Sequence, residues 1–445
     1  MWDRLLLLKT QLLAHKGIRR YGANTAWLMG EKVLRMFMGL FVGIWVARYL
    51  GPEQFGLLSY AQSFVFLFTA IATLGLDSIV VRELVKDNSQ RNVLLGTAFT
   101  LKLIGSLCIL PLLWFGVQFT SNDSYTNLLI FIIASGTIFQ SFNVIDFYYQ
   151  SSVLSKYVAF ANTITLAISS IVKIVLILNE ASLLAFALIG VFDAVILALG
   201  LIYFYLKKTH HSLREWKFDR IVAKRLLSDS WPLIISSVMV SLYMKIDQVM
   251  IKEMLDNNAV GQYAAAVRIS EAWYFLPMAI CSSVFPAIIN AKKVSETLYY
   301  QRLQRLYSVM VWLGLAVALP MTFISDWIIS LLYGFAYVEA GRILVIHVWA
   351  GIFVGLGVAS GTWVITENLQ RYTKYFLLIG LLANLLLNIF LINKYGILGA
   401  AIATLLSQII ASYLAPSIFK KMRIRFKMHT KALLFFIPNK FLTFK

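Results

Sequence analysis

Twelve apolar runs of about twenty residues each leave this chain few ways to fold. They lie near 24–47, 56–80, 93–117, 127–150, 158–178, 182–206, 230–253, 264–290, 304–324, 341–364, 373–393 and 397–419. A helix rises about 1.5 Å per residue, so each run matches the roughly 30 Å hydrocarbon core of a bilayer. A spanning helix satisfies its own backbone in lipid. The only other solution is a closed barrel, which needs alternating strands of about ten residues, and no such alternation is present. Hydrophobic residues fill 60% of the 445 positions and charged residues 14%, against about 25% charged in soluble domains. The chain therefore reads as an all-α integral membrane protein of about twelve transmembrane helices in two six-helix lobes around a central cavity. The short apolar piece at 328–333 reads as re-entrant or interfacial. Residues 1–23 are basic and lack the apolar core of a cleavable leader, so the first run is expected to direct insertion.

Lysine and arginine gather on the cytoplasmic side of membrane proteins. With the N-terminus placed inside, the inner segments hold 30 of the 40 basic residues and the outer segments 4 (Arg48, Lys252, Arg342 and Lys394), with 6 inside the runs. Both termini are thus expected in the cytoplasm, and topology accounts for the net charge of +19 without nucleic acid. The expected divisions are a six-span lobe over 1–206, a cytoplasmic linker over 207–229, a second lobe over 230–419 and a basic cytoplasmic tail over 420–445. The tail is either a helix on anionic inner-leaflet lipids or a loose polybasic end.

The two halves echo each other. Leu154-Ser-Lys-Tyr157 returns as Leu369-Gln-Arg-Tyr372 at an offset of 215, and Leu50, Gly56 and Ala61 return as Leu255, Gly261 and Ala266 at an offset of 205. A six-plus-six duplication gives parallel lobes with a cleft between them, where a substrate site is expected.

Ionisable groups at bilayer depth are costly and mark cavities or partners. The cations within the runs are Lys32, Arg35, Lys102, Lys173, Lys245 and Arg268; the acids are Glu31, Asp146, Asp193, Asp247 and Glu271, with Asp77 near an inner end. Counted along the helices, the cations form a ladder across the membrane, suited to an anionic, phosphate-bearing group. Glu31 and Arg35 share a helix face and are expected to pair, as are Arg268 and Glu271. Lys173 has no acid three or four positions away, and Lys245 and Asp247 point to different faces. Lys173 and Lys245 are thus the favoured substrate-facing cations. Asp193 and Asp247 are candidates for holding a coupling cation or proton, or for partnering a lysine across helices. His347 reads as a polar packing residue, and Pro277 and Pro320 as kinks.

Other chemistry finds no support. Cys108 and Cys281 lack metal-ligand spacing and read as small core residues. The glycines from Gly351 to Gly357 lie within a span and signal close helix packing rather than a phosphate loop. No metal, cofactor or catalytic motif is expected.

Several blocks carry a family resemblance. They are Asn24-Thr25-Ala26; Ala47-Arg48-Tyr49-Leu50-Gly51-Pro52-Glu53-Gln54-Phe55-Gly56; Gly75-Leu76-Asp77 with Val81-Arg82-Glu83; Lys245-Ile246-Asp247-Gln248 with Val260-Gly261-Gln262-Tyr263-Ala264-Ala265; and Tyr395-Gly396-Ile397-Leu398-Gly399-Ala400-Ala401. Together they resemble the polysaccharide transporter (O-antigen flippase) family of the multidrug/oligosaccharidyl-lipid/polysaccharide exporter superfamily. The resemblance implies a flippase of the bacterial inner membrane, moving undecaprenyl-diphosphate-linked oligosaccharide repeat units to the periplasmic leaflet by alternating access. It also implies a polysaccharide polymerase and a chain-length regulator as partners. The alternative is an ion-coupled multidrug or small-molecule exporter of the same superfamily, for which an acidic or apolar cavity is expected.

Overall fold

The computed structural model describes residues 2–209 and 211–434; within the first helix, side chains are described at residue 24 and from residue 26 onward. The described elements are helical throughout: α1 (Trp2–Thr73), α2 (Asp77–Lys86), α3 (Arg91–Val117), α4 (Ser124–Phe139), α5 (Val144–Ser151), α6 (Lys156–Leu178), α7 (Leu183–Thr209), α8 (Arg220–Met254), α9 (Asn257–Glu271), α10 (Phe275–Val294), α11 (Glu296–Tyr333), α12 (Val338–His347), α13 (Ala350–Thr366), α14 (Thr373–Tyr395), α15 (Ile397–Ile409), α16 (Ala415–Ile418) and α17 (Arg423–Leu434), with short 3-10 and π turns between some of them.

Among the described residues, ten segments are long and apolar enough to cross a membrane, and Phe335–His347 with Ala350–Thr366, bent by 48°, makes an eleventh. The first segment, Ala26–Lys86, contains two of the expected runs. They part at Gly51, whose φ of 69° and ψ of 169° leave the helical region. Glycine takes that conformation without a Cβ penalty, and Pro52 then restarts the helix where its missing N–H matters least. All twelve runs are therefore mostly helical, with turns at 74–75, 272–274 and 348–349 inside three of them. Residues 328–333 are the last turns of α11, not a re-entrant piece, because the helix passes Pro320 unbroken and ends only at Gly334, with φ 87°. Pro277 lies in the first turn of α10 and does not break it. The outward faces are apolar: Phe323 is 84% exposed and Phe390 70%, an arrangement suited to hydrocarbon rather than water.

The chain divides into two compact units, one of Met1–Val46 with Phe64–Val238, the other of Ala47–Ser63 with Met239–Lys445. The core of the first gathers Leu76, Leu94, Val144, Tyr149, Tyr205 and Leu226. That of the second gathers Tyr299, Leu303, Tyr307, Leu356 and Trp363, with Met428 and Ala432 of α17.

Both sequence echoes have structural counterparts. Before Leu154 and Leu369, Val153 and Asn368 take positive φ angles of 56° and 55°. The bonds Leu154 N to Tyr149 O (2.8 Å) and Tyr157 N to Leu154 O (3.2 Å) repeat as Leu369 N to Val364 O (2.9 Å) and Tyr372 N to Leu369 O (3.0 Å). The second echo closes on itself within the second unit. A Cβ on Gly56 would lie 1.8 Å from Asn257 O, and one on Gly261 would lie 2.0 Å from Pro52 O. Only glycine lets the two backbones cross this closely. The segment is fastened along its length by Glu53 Oε1 accepting from Asn257 Nδ2 (3.1 Å), Tyr60 OH donating to Glu253 Oε1 (3.3 Å) and Ser63 Oγ donating to Gln248 Oε1 (2.7 Å).

The described part of the tail is helical rather than loose. Residues 423–434 form α17, with Arg425, Met428, His429 and Ala432 buried and Arg423, Ile424 and Lys427 exposed, so this stretch is a packed helix with a basic outer face. Residues 435–445 fall outside the described ones. Gln304 Nε2 donates to Met428 O (3.1 Å), and His429 Nε2 pairs with Ser360 Oγ at 2.9 Å. The Tyr307 ring stands edge-on to His429 at 4.7 Å. Burial first, and the Arg425 charge second, hold the His429 imidazole well below its ordinary 6.5. A histidine whose value is lowered on docking contributes fully above its undocked value and less as pH falls through it. Docking of α17 should therefore weaken below about pH 6.5. Hydrogen exchange of residues 423–434, corrected for intrinsic rates, should quicken on acidification in the native chain and not in His429→Leu.

Candidate functional site

The second unit encloses a cavity of about 260 Å³ whose polar wall includes Tyr243, Asp247, Tyr263, Glu271, Thr404 and Gln408. At its centre is Asp247 of α8, 5% exposed. Its Oδ2 accepts from Tyr263 OH of α9 (2.9 Å) and from Thr404 Oγ1 of α15 (2.6 Å), and its Oδ1 from Asn388 Nδ2 of α14 (2.6 Å). Asn388 Nδ2 also reaches Asn384 Oδ1 at 3.1 Å, and Asn384 Nδ2 reaches Ser407 Oγ at 3.5 Å. A buried carboxylate is costly unless it is hydrogen-bonded, and here three neighbouring helices supply the bonds. Asn388 Oδ1 is buried without a hydrogen bond. His347 lines the same cavity, its Nδ1 2.8 Å from Ser270 Oγ and its ring 5.9 Å from that of Tyr263.

Lys245 lies on α8 two residues before Asp247. It is half-buried and makes no hydrogen bond or ion pair among the described residues; Glu271 lies within its field. The expected Arg268–Glu271 pair does not form. The spacing permits it without requiring it, and Arg268 instead lies in the neighbourhood of Tyr333. Half-buried, Arg268 too has no ion pair among the described residues.

The other four cations belong to the first unit. Arg35 pairs with Glu31 as expected, its Nε 2.7 Å from Glu31 Oε1. Lys32 is exposed. Lys102 is buried, its Nζ 3.4 Å from Asp77 Oδ1 and 4.7 Å from the centre of the Phe147 ring. Asp146 accepts from Gln150 Nε2 at 3.0 Å. Lys173, favoured as a substrate-facing cation, is paired: its Nζ lies 2.8 Å from Ser169 Oγ and 3.6 Å from Asp193 Oδ2, the lysine partnership across helices that was one reading of Asp193. The acid comes from the neighbouring α7, where spacing along α6 alone cannot reveal it. Cys108 is exposed and not a core residue, while Cys281 is buried.

Sequence reasoning missed the partners of Asp247. Asn384 and Asn388, four apart in an otherwise apolar run, are the signal that was there to be read.

The family described as "Polysaccharide biosynthesis protein" matches residues 21–292. The chain is 26% identical over 376 residues to the probable low-salt glycan biosynthesis flippase Agl15 of Haloferax volcanii, covering 82% of this chain and 77% of that protein. It is 21% identical over 394 residues to the capsular polysaccharide biosynthesis protein CapF of Staphylococcus aureus, covering 87% and 96%. Among solved structures, the lipid II flippase MurJ in an inward closed conformation superimposes with a TM-score of 0.69 over 93% of each chain, at 16% identity.

Proposed function

Since the chain belongs to the polysaccharide biosynthesis protein family, we propose that it is a flippase that carries undecaprenyl-diphosphate-linked oligosaccharide repeat units from the cytoplasmic to the periplasmic leaflet of the bacterial inner membrane. Both termini lie in the cytoplasm, and the cycle is one of alternating access. A polymerase and a chain-length regulator act on the delivered unit. The observation that carries the reading is the pair of half-buried cations Lys245 and Arg268, without ion pairs among the described residues. Cations at membrane depth persist where they have a partner or a ligand, and a diphosphate offers the charge-assisted bonds they lack. Asp247 serves as the coupling acid, binding a proton or a monovalent cation, and the free Asn388 Oδ1 supports the cation.

Deleting the gene in its native strain tests this. Long-chain surface polysaccharide should disappear, while intact lipid-linked repeat units accumulate on the cytoplasmic side and the cloned gene restores export. Lys245→Ala should lower that restoration about tenfold while the membrane-inserted protein stays near the wild-type amount. A parallel fall of both would make Lys245 a structural residue.

One observation favours the exporter reading. The described lining of the cavity carries Asp247 and Glu271 and no lysine or arginine, as a site for cationic solutes would. Normal polysaccharide with new sensitivity to cationic drugs in the deletion strain would support that reading over the flippase.

A further inference from the structure

Pro416 deprives the Ser412 carbonyl of its helical donor. In a continuing α-helix that oxygen accepts from the N–H four residues on; proline has none, and its ring crowds the same carbonyl. The chain responds with a π turn over Ile410–Leu414, between α15 and α16. The missing donor comes from α17. Arg425 Nη2 lies 2.9 Å from Ser412 O, and the guanidinium carbon sits 5.3 Å from the centre of the Phe376 ring. Arg425 is only 5% exposed, and its Nε is buried without a hydrogen bond. Burial draws the guanidinium down to about 10, so it stays charged at neutral pH and donates a charge-assisted bond. Ser412 meanwhile lines the cavity that Asp247 also lines, one turn beyond Gln408, and its Oγ lies beside Gly357 of the same wall. One residue thus has its carbonyl held by α17 and itself stands in the cavity wall. A buried arginine that uses so few of its donors is an expensive way to pack a helix.

We propose that Arg425 is a positioning residue for the cavity: by supplying the donor that Pro416 withholds, it fixes the π turn so that Ser412 and Gln408 face the Asp247 site, and it makes α17 part of the transport machinery. The functional half of this inference rests on the flippase reading; the geometric half does not.

The test uses the full chain with Cys108 and Cys281 replaced by serine and a single reporter, Ser412→Cys, followed by its rate of reaction with N-ethylmaleimide. Arg425→Met keeps the bulk of the side chain and removes its donors. Labelling of the reporter should rise by about fivefold or more in Arg425→Met. Adding Pro416→Ala, which returns an in-chain N–H to the Ser412 carbonyl, should reverse most of that rise. Without the reporter, restoration of surface polysaccharide should fall about tenfold in Arg425→Met, at matched protein amounts, and recover in Pro416→Ala/Arg425→Met. Unchanged labelling in a folded Arg425→Met chain, or a rise that Pro416→Ala does not reverse, overturns the inference. If Arg425→Met does not accumulate, the double variant decides: its recovery supports the inference and its absence refutes it. If labelling behaves as expected but the wild-type gene restores no polysaccharide, the positioning role stands and the flippase reading falls.

Discussion

Asp247→Ala is expected to abolish restoration of surface polysaccharide and to lower the stability of the second unit by about 3 kcal/mol or more. The substitution removes the acceptor of Tyr263, Thr404 and Asn388 at once. Tyr263 and Asn388 are buried, and each donor left unpaired there carries a desolvation penalty. Asp247→Asn separates the two effects. It keeps the volume and one carbonyl acceptor but no charge, so the protein should accumulate near the wild-type amount and still fail to restore export. Thermal unfolding in detergent alongside the complementation assay reads both. An Asp247→Asn chain with wild-type activity would remove Asp247 from the coupling role and leave it as a structural acceptor.

Gly56→Ala and Gly261→Ala should each prevent the second unit from assembling. The added methyl would lie 1.8 Å from Asn257 O in one case and 2.0 Å from Pro52 O in the other. Neither obstacle is the free end of a side chain; both are backbone carbonyls within packed helices. The crossing would have to open by more than about 1 Å, at an overpacking cost of about 3 kcal/mol or more. Gly190→Ala is the control, because a Cβ there meets nothing within 4 Å, and alanine is the better helix former. Size-exclusion profiles of fluorescently tagged chains should show a monodisperse peak for Gly190→Ala and aggregate for the other two. A monodisperse Gly261→Ala would mean that the crossing is not closed as described.

The spans were legible because the bilayer imposes one length and one composition on every spanning helix. That constraint is local, so composition along the chain is enough to find them. Pairing on one helix was legible where a single geometry served: Glu31 and Arg35 meet. It failed where a neighbouring helix decided the outcome. Lys173, read as substrate-facing, finds Asp193 on α7, so only the Asp193 side of that pair was anticipated, and Arg268 leaves Glu271 unpaired. The Asp247 network drew on four helices, and only the two asparagines in α14 hinted at it. The buried face of the tail helix was hidden for a related reason. Its basic residues fit the positive-inside rule so well that the buried pair Arg425 and His429, four apart on one face, passed as more of the same. Pro416, four residues after Ser412, was the local sign that an outside donor would be needed.

The crossing at Gly56 and Gly261 has one further consequence. Gly56 meets residue 257 and Gly261 meets residue 52, and residues 52 and 257, like 56 and 261, are separated by 205 positions. Residue i touches j, and the counterpart of j touches the counterpart of i. That is the form of an isologous contact, in which two identical copies meet across a twofold axis. Here it is enclosed in a single chain, so the two half-sequences are not free to diverge at these positions one at a time. A side chain admitted at 56 needs room made at 257, and one admitted at 261 needs room made at 52. The crossing thus has the form of a homodimer interface held within one chain, and it ties what one half can carry at these positions to what the other carries.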